Sequence, residues 1–98
     1  MSIIRRQSHV LVIDDTQEIL DLLRELLEND GYQVSTSLAA LDLTRIKEMA
    51  PDVIVQDLLF EHSSEIGWSF LILSRLDPQI SQIPLILCTA AIQVVKNE

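Results

Sequence analysis

Apolar positions change their spacing several times along the chain, and each change marks an element. Residues 9–13, HVLVI, form a short β-branched run that is apolar on both faces, as buried parallel strands are. From Thr16 to Asn29 the period lengthens. Ile19, Leu22, Leu23, Leu26 and Leu27 fall on one face and Glu18, Asp21, Glu25 and Glu28 on the other, which predicts an amphipathic helix stopped at Gly31. YQVST at 32–36 predicts a second strand. Residues 39–49 carry Leu41, Leu43, Ile46 and Met49 at helical spacing, and Pro51 ends that segment. DVIVQ at 52–56 predicts a third strand leading into Asp57, followed by a loop over 58–67. Gly67 to Leu76 reads as a helix with Trp68, Leu71, Ile72 and Leu76 available for the core, broken at Asp77-Pro78. IPLILC at 83–88 is the fourth predicted strand, and Ala90 to Lys96 starts another helix.

Alternating strands and helices with short connections predict an α/β fold, a doubly wound parallel sheet with helices on both faces. In such sheets, ligands gather beyond the carboxyl ends of the strands. Three of the four predicted strands deliver polar residues to that edge: Asp14 and Asp15, then Asp57, then Thr89.

Composition narrows the picture. The 98 residues suit one domain over 9–98 behind a short tail at 1–8, and 48% hydrophobic residues are enough for a core. No apolar run approaches the ~20 residues that cross a bilayer, and Met1–Ser8 does not read as a secretory signal, so no membrane partner is expected. One cysteine, Cys88, excludes an internal disulfide and agrees with a reducing, cytoplasmic setting. Within IPLILC it reads as a small core residue. A net charge of −8 argues against direct nucleic-acid binding and suits a divalent cation or a basic protein partner.

Taken singly, the acidic residues have plain explanations. Asp15 with Glu18 fits a helix N-cap with a partner at N3, and Asp57 fits an Asx turn. Together they are more informative. Three carboxylates at one sheet edge repel one another, and a hard divalent cation such as Mg²⁺ relieves that cost. The cation would then neutralise charge on a transferring phosphoryl group, with Thr89 as a hydroxyl donor. Nucleotide-hydrolysing and dinucleotide-binding alternatives need glycine-rich phosphate loops, and the only glycines, Gly31 and Gly67, are not so placed. A haloacid-type phosphatase would need a second aspartate two residues after Asp57, where Leu59 stands.

VLVIDDTQEIL at 10–20, PDVIVQDLL at 51–59 and IPLILCTA at 83–90 resemble, in order and placement, the three signatures of response-regulator receiver domains of the CheY-like superfamily. The resemblance runs from His9 to Ala90. It implies a flavodoxin-like sheet of order 2-1-3-4-5 and a phosphorelay role in which the chain accepts a phosphoryl group and signals by a conformational switch, rather than acting as an enzyme. By position, Asp57 resembles the phosphoacceptor. Asp14 and Asp15 resemble the acidic pair that holds Mg²⁺ with Asp57 and the backbone carbonyl of Leu59. Thr89 resembles the switch hydroxyl, and Ala90 the small neighbour that leaves room for the phosphoryl group. The implied donor is a phosphohistidine on a histidine kinase or phosphotransfer protein.

Two departures accompany the resemblance. The loop 58–67 has no proline and is longer than the family's Met-Pro turn. The chain stops at Glu98, where a fourth helix would be under way, so the fifth strand with its lysine and the fifth helix are expected to be absent; Lys96 is not given that lysine's role. Strand 83–88 would then be an open apolar edge, belonging either to a fragment or to a chain that pairs with a second copy. Such a chain is expected to bind Mg²⁺ and phosphorylate slowly. The competing reading is a pseudo-receiver that works by protein contact alone. The departures favour it, whereas the intact set Asp14, Asp15, Asp57 and Thr89 favours phosphorylation. His9, Glu61, His62 and Trp68 are read as structural or solvated side chains.

Overall fold

The computed structural model describes residues 7–39, 41–57 and 64–88, without the side chains of 64–67. Four strands, β1 (His9–Ile13), β2 (Gln33–Ser37), β3 (Val53–Asp57) and β4 (Leu85–Cys88), form one parallel sheet in the order β2-β1-β3-β4. Three helices, α1 (Gln17–Asn29), α2 (Leu43–Met49) and α3 (Ser64–Leu76), alternate with them, and a 3₁₀ turn at Ile80–Gln82 precedes β4. This is the predicted doubly wound architecture. β1 lies at the centre with all five residues buried, which is why its sequence is apolar on both faces.

Successive residues of β1 and β3 point to opposite faces and build two cores. Val10, Val12, Leu20 and Val34, with Leu23, Leu27, Val53 and Val55 against them, pack beneath α1. Leu11, Ile13, Ile46, Ile54, Phe70 and Ile80 pack on the opposite face beneath α2 and α3. Each fully buried leucine or isoleucine here contributes about 1.5–3 kcal/mol. At the base of the sheet, the His9 amide donates to the Asp52 carboxylate at 2.7 Å and the Asp52 amide to the His9 carbonyl at 2.7 Å. His9 Nε2 lies 2.7 Å from Ser35 Oγ, so this buried histidine ties β1 to β2 and β3.

Several sequence expectations are corrected. Only Leu20, with Leu23 and Leu27, forms the inward stripe of α1, whereas Ile19, Leu22 and Leu26 are exposed. The third helix begins at Ser64, inside the predicted loop, and buries Phe70 and Ser74 instead of Trp68, Ile72 and Leu76, which are exposed. Apolar side chains surround that helix, so periodicity could not choose a face. Cys88 is exposed and does not belong to the core.

Helix ends are set by local chemistry. α1 ends with Gly31 N–H bonded to Glu28 carbonyl and Tyr32 N–H to Leu27 carbonyl, a Schellman arrangement with Gly31 at φ 95°. The second helix starts at Asp42, whose Oδ1 accepts from Arg45 N–H at 2.8 Å, later than the residue 39 expected from periodicity. It ends at Ala50, which adopts φ 50°, ψ 55°. The approach to β4 is held by polar contacts. Asp77 Oδ1 caps the amides of Gln79 and Ile80, Lys47 Nζ lies 2.8 Å from Asp77 Oδ2, and Arg75 donates to the carbonyls of Ile80, Ser81 and Ile83.

Two predictions follow from these ends. Left-handed backbone costs an L-residue roughly 1–2 kcal/mol, so Ala50→Gly should gain up to about 1 kcal/mol after the entropy cost of glycine, and Gly31→Ala should lose a similar amount. Denaturant midpoints would measure both, and an unchanged Ala50→Gly midpoint would contradict the strain. The hydrogen bond from Lys47, then that from the Ile80 amide, holds the Asp77 carboxyl below its ordinary range. A depressed carboxyl contributes stability above the unfolded carboxyl's value, and the contribution is lost as pH falls through the folded value. Asp77→Asn should therefore lower Tm near neutral pH and converge with the parent in strong acid; a pH-independent difference would rule out ionisation as the source.

Candidate metal centre

The register of the central strands builds the site. Ile13 stands opposite Gln56, so the next residues, Asp14 and Asp57, leave the sheet side by side at its carboxyl edge. Asp14 N–H donates to the Ser37 carbonyl at 3.1 Å, and Asp14 Oδ1 accepts from Thr16 N–H at 2.9 Å. That Asx turn carries the chain through Asp15 into α1. Thr16 is the N-cap and makes no side-chain cap bond, so the expected Asp15–Glu18 capping pair is not formed. Asp15 Oδ1 instead lies 3.5 Å from Thr16 Oγ1.

One carboxylate oxygen from each of Asp14, Asp15 and Asp57 lies within 4.8 Å of the others. Asp14 is almost buried at 9% exposure, while Asp15 and Asp57 are half-buried, so the cluster opens to solvent on one side. Gln56, fully buried behind it, donates its Nε2 hydrogen to the Asp57 carbonyl at 2.8 Å and fixes the strand end. Three hard oxygen donors around an open side suit a Mg²⁺-type cation that keeps several waters. The donor set therefore fits the implied metal.

Cys88 is a neighbour that the sequence reading placed elsewhere. It is the register partner of Asp57 on β4. Partial burial, then the negative charges of Asp14 and Asp57, push its thiol above the ordinary range, so at neutral pH it stays protonated and adds no charge. Its position one residue before Thr89, at a predicted strand end, was the available signal. Leu59, Glu61, His62, Thr89, Ala90 and Lys96 lie outside the described residues.

Residues 10–97 match the response regulator receiver domain family. The chain is 26% identical over 86 residues to the response regulator SaeR of Staphylococcus epidermidis, and 27% identical over 86 residues to SaeR of Staphylococcus aureus. These matches cover 88% of this chain and 36% of each relative, so the chain spans about a third of their length. Among solved structures, it resembles the N-terminal domain of a response regulator receiver protein from Methanoculleus marisnigri with a TM-score of 0.71 and 29% identity, over 81% of this chain and 63% of that one. It also resembles the chemotaxis response regulator CheY4 of Vibrio cholerae, with a TM-score of 0.69 and 26% identity, over 84% and 68% of the two chains. A 2-1-3-4 parallel sheet with an acidic cluster at its carboxyl edge, and a family match across nearly the whole chain, lead to one conclusion: this chain belongs to the response regulator receiver domain family.

Proposed function

We propose that the chain is the phosphoacceptor module of a cytoplasmic two-component phosphorelay, with Asp57 as acceptor and a histidine kinase or phosphotransfer protein as donor. The observation that carries this reading is the meeting of Asp14, Asp15 and Asp57 oxygens within 4.8 Å at the end of β1 and β3. A carboxylate oxygen of Asp57 forms the new bond to phosphorus as the P–N bond of phosphohistidine breaks, and the released imidazole takes up a proton. Mg²⁺, when bound, supplies positive charge that offsets the phosphoryl oxygens. Asp14, Asp15 and Asp57 would hold it, with the Leu59 carbonyl as a further ligand. Asp14 is suited to a fixed ligand because the Thr16 amide pins its carboxylate. By family position, Thr89 donates its hydroxyl to a phosphoryl oxygen and Ala90 leaves space for it. β4 is the outer strand of the described sheet, and its edge offers a second copy a pairing surface.

Incubation with Mg²⁺ and phosphoramidate, followed by intact-mass measurement, should give one phosphoryl adduct on the parent and none on Asp57→Asn or in the presence of chelator. A parent chain that stays unmodified would overturn the phosphoacceptor reading and favour a receiver that signals by contact alone. Titration calorimetry gives a separate check on the metal. Asp14→Asn should weaken Mg²⁺ binding by roughly tenfold or more, since even outer-shell changes at metal sites cost that much. Unchanged affinity would remove Asp14 from the ligand set.

A further inference from the structure

The third helix is apolar on the side turned away from the sheet. Phe70 and Ser74, both buried, fix its inward direction. At ~3.6 residues per turn, Trp68, Ile72 and Leu76 lie roughly 140–180° round from that direction, in one i, i+4, i+8 row along the back of the helix. They are 49%, 57% and 74% exposed. The outer side of a surface helix is normally polar, so this row calls for an explanation. Further elements of the sheet do not supply one. A neighbour packed on the sheet beside α3 meets it roughly 90° from the inward direction, where Leu71 and Leu73 stand, and leaves the back uncovered.

We propose that this row is the contact surface for a second copy of the chain, with α3 packed antiparallel on α3 across a two-fold axis. Charge is the first argument. At a net charge of −8, like-charge repulsion opposes self-association over much of the surface, and the outer side of α1 carries Glu18, Asp21, Glu25 and Glu28. Residues 68–76 contain no carboxylate, and their one charged group, Arg75, donates to the carbonyls of Ile80, Ser81 and Ile83. A copy can approach here without bringing carboxylates together. Shape agrees. Rows spaced by four residues interdigitate with their like at a crossing of about 50°, and a two-fold axis brings identical rows together. Trp68 of each copy then meets Leu76 of the other, with the two Ile72 side chains at the axis, and the crossing confines contact to about two turns. Area is the third argument. The row offers roughly 400 Å² of apolar surface, and with Ser69 and the Arg75 stem at its borders a pair buries about 1,000 Å², the lower limit for a specific interface. Such a dimer is reversible and concentration-dependent. It uses neither the aspartate edge nor the outer edge of β4, so it does not depend on phosphoryl chemistry.

Sedimentation velocity on the whole chain, from low to high micromolar concentration, should show a monomer–dimer equilibrium. Ile72→Gln and Leu76→Gln, both exposed in the single chain and charge-neutral, should each raise the dissociation constant roughly tenfold or more, because each loss counts twice across the axis. Leu22→Gln on α1 and Ile86→Gln on β4, similarly exposed, should leave it unchanged. A second measurement tests the geometry. Ile72→Cys on a Cys88→Ser background should cross-link into a disulfide dimer under mild oxidation, and Leu22→Cys on the same background should not. A chain that stays monomeric throughout, or an Ile72→Cys variant that fails to cross-link, would overturn the proposal. So would a dimer indifferent to Ile72→Gln and Leu76→Gln; weakening of that dimer by Ile86→Gln would give the contact to β4 instead.

Discussion

Parallel pairing of β1 with β3 is the constraint on which the rest of the molecule depends. It places Asp14 and Asp57 on adjacent chains one step beyond Ile13 and Gln56, with Asp15 carried alongside by the turn into α1. Crowding like charges in this way is unfavourable. The scaffold withstands it because β1 is buried throughout and its neighbours close two apolar cores around it. The buried Gln56 amide and the Thr16 amide hold the strand ends in place, so the carboxylates cannot relax by moving apart along the backbone. A cluster held this way is predisposed to take up positive charge.

The same sheet distributes its remaining tasks unevenly. The face under α2 and α3 is closed, and its connection to β4 is secured by Asp77, Lys47 and Arg75 rather than by apolar packing alone. On the other face, among the described residues, α1 packs over Val10, Val12 and Val34, with Val53 and Val55 beside them. The thiol of Cys88 lies beside the aspartates, where partial burial and then their field keep it protonated, so it leaves the charge of the cluster unaltered.

Membership of the receiver family accounts for the sheet order and for the position of the acidic edge. The curated relatives extend well past the span matched here, since this chain corresponds to 36% of their length. The function proposed for it is accordingly that of a module, built on residues within the chain: an acceptor aspartate, two further carboxylates and, by family position, the hydroxyl of Thr89.

Much of this was legible in the residues themselves. HVLVI and DVIVQ declare buried strands because a central parallel strand must be apolar on both faces, and the aspartates that follow them mark where the strands end. The convergence of Asp14, Asp15 and Asp57 at one sheet edge follows from the alternation of strands and helices, whereas the strand order was implied by the resemblance to receiver domains. Other features were decided by tertiary packing. Six apolar residues on α1 share one broad flank, yet only Leu20, Leu23 and Leu27 meet the sheet, because a single helix turns only a narrow stripe onto the strands beneath it. On α3, Phe70 turns inward with the polar Ser74 while Trp68 turns outward, a choice that only the position of Ile80 and the neighbouring strands could settle. Cys88 reads as core in a run such as IPLILC, but exposure depends on what lies across the sheet. Sequence by itself determined the elements, their order and the acidic edge, since these rest on local periodicity and chain direction. The tertiary structure decided which apolar faces are covered, because burial is a property of the neighbours and not of the residue.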